Sequence, residues 1–174
     1  LGYIPSERNE VGSIGDFTLV ENVAMNYYFD DTFTHRGIMD YGSIRKLTED
    51  LIADYGVATP NADVKGKNLS GGNLQKIILA RVLNRNPRLV IANLPTQGLD
   101  VGATEFVQNK LIEAKKNKAA VLLISEDLDE IMAISDWIAP MYEGEFMAIV
   151  SADNADREQI GAMMAGLRLE RQEQ

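Results

Sequence analysis

Leu69-Ser70-Gly71-Gly72-Asn73-Leu74-Gln75-Lys76 is the stretch on which the reading of this chain turns. Taken alone, it is a serine able to cap a helix, two glycines and the first turn of the helix, a common arrangement. The same residues also suit an anion. Glycine lets backbone N–H groups approach a phosphate with no Cβ in the way. Ser70 can donate its hydroxyl, and the helix behind it adds roughly half a positive charge at its N-terminus. The pattern predicts a helix from Ser70 to about Arg85, closed off by Pro87.

Outward from this segment, helices and apolar strands alternate. Leu89-Val90-Ile91-Ala92 and Val121-Leu122-Leu123-Ile124 read as buried strands. Between them, residues 101–117 read as a helix with Val107, Leu111 and Ala114 on one face. Beyond lie a short helix at 127–134, strands at 137–141 and 146–150 around a tight turn at Glu143-Gly144, and a helix at 156–165. Upstream, residues 21–28 look helical. Ile44, Leu47, Leu51 and Tyr55 mark a helix over 43–55, with Ser43 as its cap and Gly56 as its stop. Residues 57–68 read as loop, and residues 1–20 as a strand end and a loop carrying Gly2, Gly12 and Gly15. Continuous apolar strands alternating with helices imply a mostly parallel sheet flanked by helices, an α/β fold.

Composition narrows the function. The chain has 174 residues and a formal net charge of −9. An acidic balance disfavours nucleic acid and a polybasic membrane anchor. Without cysteine there are no disulfides or thiolate metal sites, and one histidine, His35, rules out a multi-histidine centre within the chain. His35, near Asp30 and Asp31, reads as a solvated loop residue. Met163-Met164 reads as helix packing, and Lys115, Lys116 and Lys118 as cations suited to a helix end. No apolar run approaches the roughly 20 residues that span a bilayer. Leu1-Gly2-Tyr3-Ile4-Pro5 reads as a chain cut from something longer.

With this context, the chain resembles the ABC ATPase family, whose fold is P-loop NTPase-like. Leu69 to Asn73 resembles the signature motif, usually LSGGQ. Leu89 to Leu94 sits where the Walker B strand sits, and Gly98-Leu99-Asp100 resembles the D-loop. Phe17-Thr18-Leu19-Val20-Glu21-Asn22-Val23 resembles the opening of the helical subdomain. Ser125-Glu126-Asp127 falls at the switch-histidine position. Pro95-Thr96-Gln97-Gly98-Leu99-Asp100-Val101-Gly102-Ala103 and the stretch from Ile160-Gly161 to Gly166 resemble sugar-type importers, the nucleoside branch above all. The resemblance implies four parts. Residues 1–20 are the end of a core strand and a Q-loop-like region, and 21–68 a helical subdomain. Residues 69–166 are the signature helix and remaining α/β core, and 167–174 a polar tail. It further implies the C-terminal part of the second of two fused cassettes.

The chain departs from that pattern where the family does chemistry. No GxxxxGK[ST] phosphate loop occurs in it. Asn93 replaces the Walker B aspartate, a neutral oxygen where Mg²⁺ has a charged partner. Leu94 replaces the glutamate that polarises the attacking water, and cannot accept a proton. Glu126 replaces the switch histidine, where a carboxylate would repel phosphate. Ser6, or Glu7 one residue on, stands at the Q-loop glutamine. Catalytic positions Asn93, Leu94, Glu126 and Ser6 are therefore expected to be degenerate, while Ser70, Gly71 and Gly72, supported by Asn73, are expected to contact ATP held by a partner's P-loop. Asp100 is expected at the dimer seam.

The resemblance implies ATP and Mg²⁺ in the full assembly, with none on this chain alone. It implies a second cassette, transmembrane permease subunits and, indirectly, an extracytoplasmic substrate-binding protein as partners, at the cytoplasmic face of the membrane. No nucleic acid is expected. The competing readings are a non-transport ABC ATPase and a purely structural cassette.

Overall fold

The computed structural model describes residues 1–167 and separates into two units, Leu1–Ile124 and Ser125–Gln174. The tail expected at 167–174 lies, beyond Leu167, outside the described residues. The first unit runs β1 (Gly2–Ile4), α1 (Leu19–Ala24), a hairpin of β2 (Thr34–His35) and β3 (Ile38–Met39), then α2 (Tyr41–Asp54). A 3₁₀ turn at Gly66–Asn68 leads into α3 (Gly71–Leu83), β4 (Leu89–Asn93), α4 (Val101–Lys116) and β5 (Ala120–Ile124). β1, β4 and β5 pair in parallel in that order, with Ile4 opposite Ala92 and Val90 opposite Val121. Parallel pairs need crossovers, and helices supply them.

The central strand is buried as its apolar run predicts, with Val90 and Ala92 inaccessible to solvent. The expectation fails for the second strand. Leu122 is 53% and Ile124 46% exposed. Among the described residues β5 is an edge strand, paired only to β4, and an apolar run does not reveal whether anything covers it.

Helices α1, α2 and α3 close on a common core that includes Leu19, Val23, Ile44, Leu51, Ile77 and Ala80. Two starts differ from the sequence expectation, each because a side chain two or three residues upstream captures the orphan N–H groups. α1 begins at Leu19 rather than 21 and ends at Ala24. Thr18 Oγ1 accepts from the Glu21 N–H while Glu21 accepts from the Thr18 N–H at 2.7 Å, a reciprocal capping box. α2 begins at Tyr41 because Asp40, not Ser43, is its cap. The Asp40 carboxylate accepts from the N–H groups of Gly42 and Ser43, and Ser43 donates its own hydroxyl to it at 2.6 Å. Gly56, at φ +56°, ends that helix as expected. The 3₁₀ turn at 66–68 falls in the stretch 57–68 expected as loop, and the hairpin at 34–39 lies between the helices expected at 21–28 and 43–55.

The second unit contains α5 (Leu128–Ile134), β6 (Trp137–Ile138), β7 (Met141–Tyr142), β8 (Glu145–Phe146), β9 (Val150–Ser151) and α6 (Arg157–Met164). The two strands expected at 137–141 and 146–150 are each broken in two. β6 pairs with β9 and β7 with β8, all antiparallel. Pro140, which has no N–H to offer a ladder, sits at the break. Glu143 and Gly144, both at positive φ, make the tight turn. Met163 joins Ile138 and Ile160 in the core of this unit, with Met164 against it.

Candidate functional site

The N-terminal ends of α3 and α4 lie side by side in the first unit. Ser70 caps α3. Its Oγ accepts from the Asn73 backbone N–H (3.4 Å) and from the Asn73 side-chain amide (2.9 Å). A hydroxyl oxygen that accepts from both still has its own hydrogen to donate outward. Asn73 is held from behind, its Oδ1 accepting from the Ala58 N–H at 2.8 Å. Gly71 is exposed, with open space where a Cβ would stand. Gly72 is closer in. A Cβ there would lie 3.1 Å from the Ala103 Cβ and 3.8 Å from Asp100 Oδ2. Asp100 in turn caps α4 by accepting from the Ala103 N–H at 2.9 Å. The structure thus brings Ser70, Gly71, Gly72, Asn73 and Asp100 together. Two helix N-termini and one spare hydroxyl donor make a surface that favours an anion.

Behind this surface, the turn after β4 is tied down. Leu94 has φ +46°, a left-handed conformation that costs an ordinary residue roughly 1–2 kcal/mol. Its N–H donates to the Ile124 carbonyl at 2.8 Å, which holds it there. Gln75 of α3 is buried and donates to the Pro95 carbonyl at 2.7 Å. Arg8, in the loop after β1, donates to the Gln97 carbonyl. Gly98 follows at φ +66°, with the Arg8 guanidinium against it. Helix α3, the Asp100 turn and the first loop are therefore mechanically joined. Gln75 and Arg8 are not legible as clamps from sequence, because side-chain-to-backbone contacts across many residues leave no local pattern.

Asn22 and Arg81 fix the same helix from its other side. Asn22 is inaccessible to solvent. Its Oδ1 accepts from the Ile14 N–H, and its Nδ2 donates to the carbonyls of Ile14, Phe17 and Thr18. Arg81 of α3 donates to the carbonyls of Asn22, at 2.8 Å, and Gly12. Burial pulls the Arg81 guanidinium down to about 10, still charged at neutral pH. The one sequence trace of this hub was Asn22, within the family-like stretch at 17–23.

The four positions expected to be degenerate lie in both units. Asn93 ends β4, and Ser6 lies in the loop after β1, at the same end of the sheet. They offer a neutral amide and a hydroxyl. Mg²⁺ takes carboxylates together with phosphate oxygens and water. Among the described residues no three His, Cys, Asp or Glu side chains gather to hold a metal. The donors present do not fit a resident Mg²⁺. Glu126 belongs to the second unit, exposed and one residue before the Asp127 cap of α5. His35 is exposed in the β2–β3 hairpin.

No family model matches the chain. Individual proteins do. It is 42% identical over 166 residues to the guanosine import ATP-binding protein NupO of Bacillus subtilis (strain 168), covering 95% of this chain and 32% of that protein. It is 38% identical over 166 residues to the nucleoside import ATP-binding protein NupA of Lactococcus lactis subsp. cremoris (strain MG1363), covering 95% of this chain and 33% of that one. The chain therefore spans about a third of the length of the curated relatives it matches. In fold it is similar to a dimeric ATP-binding cassette in a post-hydrolysis state bound to ADP and Pi. That match has a TM-score of 0.69 at 24% identity, over 87% of this chain and 62% of that one. The chain belongs to the ABC ATPase family, as a stretch homologous over 95% of its length to guanosine, nucleoside and glucose import ATP-binding proteins.

Proposed function

We propose that this chain supplies the signature half of a composite ATP site in an importer for sugars or nucleosides, acting on ATP bound to a partner cassette's P-loop. The observation that carries the reading is the paired helix N-termini. Ser70, whose Oγ accepts from Asn73 and keeps its own proton to donate, caps α3, and the N–H groups of Gly71 and Gly72 are the first of that helix, beside Asp100. ATP with Mg²⁺ supplies the phosphoryl group and its charge neutralisation on the partner's side. This chain's residues orient the terminal phosphate and hold Asp100 at the seam. The chain's own site is read as degenerate, through Asn93, Leu94, Ser6 and Glu126.

The partners proposed are a second cassette and transmembrane permease subunits, with a substrate-binding protein acting through them, at the cytoplasmic face of the membrane. Among the described residues no helix is long and apolar enough to cross a membrane. An exposed apolar groove that includes Phe17, Met25, Tyr28 and Tyr41 is the surface we assign to the permease. Exposed aromatics gathered in one groove mark interaction sites. The four-part organisation expected from the sequence, with a helical subdomain at 21–68, is kept as part of this reading.

Ser70→Gly tests it. Glycine at a helix cap costs only a few tenths of a kcal/mol relative to serine, so the fold survives. A lost hydrogen bond to a charged group costs about 1.5–3 kcal/mol. ATP hydrolysis by the complete transporter should drop roughly 10- to 150-fold. Unchanged hydrolysis would overturn the trans-acting role.

A further inference from the structure

We propose that the cavity at the C-terminal ends of α3 and α4 binds a small neutral polyol, either a monosaccharide or the ribose of a nucleoside. This site stands apart from the surface at the N-termini of those helices and does not depend on the cassette reading. Its volume is about 220 Å³. Sites for drug-sized ligands run to roughly 300–1,000 Å³. The space is the share of about seven waters, enough for a single sugar ring.

The wall chemistry selects the ligand. Asn84, Asn86 and Asn117 line the cavity. An amide offers donors and an acceptor, the same pair of functions a hydroxyl presents. Asn84 spends its amide N–H on the Tyr27 hydroxyl at 2.9 Å and keeps its carbonyl. Among the described residues the side chains of Asn86 and Asn117 make no hydrogen bond. Lys110 donates to Glu113 at 2.6 Å. The charges cancel, so the cavity has neither the excess cation that a phosphate wants nor the excess anion that a metal wants. Leu83, Pro87 and Ala114 give it an apolar floor, the surface on which the C–H face of a sugar ring lies. Tyr55 closes one side, with Lys110 4.9 Å from its ring centre. Burial pushes the Tyr55 hydroxyl up to about 12, so it stays a donor at physiological pH.

Position gives the site its interest. It joins Tyr55, at the end of α2, to the far ends of α3 and α4. Gly72 and Asp100 stand at the near ends, roughly 20 Å away along α3 at 1.5 Å per residue. A bound polyol would tie these helices to one another from behind.

The test is a ¹⁵N–¹H titration of the 174-residue chain with ribose, glucose, uridine and, as an anion control, inorganic phosphate. The expected result is saturable shifts centred on the amides of Asn84, Lys110 and Asn117, with binding about tenfold weaker in Asn117→Ala and in Asn86→Ala. Both residues are exposed, and an otherwise unchanged spectrum certifies each variant's fold. Saturation by ribose or glucose identifies a free sugar as the ligand. Saturation by uridine alone identifies a nucleoside ribose. No saturation by any of the three overturns the proposal. So does stronger binding of phosphate, or shifts that persist undiminished in both variants.

Discussion

Replacing Gly72 by aspartate separates the fold of this chain from its proposed role. In the fold the new carboxylate meets two opposing effects. It enters the first turn of α3, where a negative charge gains about 0.3–1 kcal/mol from the helix dipole. It also comes near Asp100, whose Oδ2 lies 3.8 Å from the new Cβ, at a cost of about 1 kcal/mol for exposed charges in water. The 3.1 Å approach to the Ala103 Cβ asks that neighbour to yield by a few tenths of an ångström. These effects largely cancel, and the melting temperature of the chain should move by less than about 4 °C. Against a partner's terminal phosphate nothing cancels. One added negative charge about 4 Å away, at an effective dielectric of 20, costs about 4 kcal/mol, or about three decades in rate. The assay is ATP hydrolysis and transport by membranes carrying the complete importer, beside a thermal melt of the chain. Restoring Asn93→Asp with Leu94→Glu should change hydrolysis far less, because Ser6 and Glu126 remain. A Gly72→Asp transporter that hydrolyses and transports like its parent would refute the reasoning, provided the melt is also unchanged.

Millimolar MgATP should leave the melting temperature of the chain alone nearly unmoved. A ligand at a hundredfold excess over Kd adds about 2.7 kcal/mol, so a saturable rise would expose a nucleotide site in this chain. Asn22→Ala should cost about 1–3 kcal/mol in urea unfolding, since it strands the Ile14 N–H, while the carbonyls of Ile14, Phe17 and Thr18 keep the backbone N–H groups of Phe17, Gly66 and Asn22; a loss below about 0.5 kcal/mol would mean that water replaces the amide. In acid, the folded-state carboxyls of Glu21, Asp63 and Asp129 lie below their ordinary values, held down by Thr18, Arg45 and Arg157 respectively. Their contribution is therefore complete above the unfolded values of 4.5 for Glu21 and 3.8 for the aspartates and is lost as pH falls through the folded ones. The urea midpoint should stay level from neutral pH down to about 5 and fall below it, less steeply in Arg45→Ala.

The sequence exposed what is local. The Ser70 cap, the α3 and α4 spans and the turn at Glu143-Gly144 all follow from residues within a few positions of one another. The parallel sheet followed from apolar strands separated by helices. Competition between neighbours hid the true caps. Asp40 stands three residues before Ser43, and a charged acceptor outbids a hydroxyl for the same N–H groups. Burial of β5 was misread because apolar composition says what a strand could cover, not what covers it. In the candidate site, Ser70 to Asn73 and Asp100 were legible as a motif, and the structure brings them together. Their supports were not. Gln75, Arg8 and Arg81 reach backbone carbonyls 20 or more positions away, and a carbonyl looks the same in every residue.

The open edge of β5 has a consequence for how this chain behaves in quantity. Ala120-Val121-Leu122-Leu123-Ile124 is an uncharged, proline-free segment that, among the described residues, is partnered on one side only. Such a strand is a template for the backbone of another chain. Association through this edge should therefore rise with concentration, because unpaired edges meet more often as molecules crowd. Lys115, Lys116 and Lys118 stand just upstream as charged gatekeepers, so salt that screens them should lower the concentration at which the chain begins to associate.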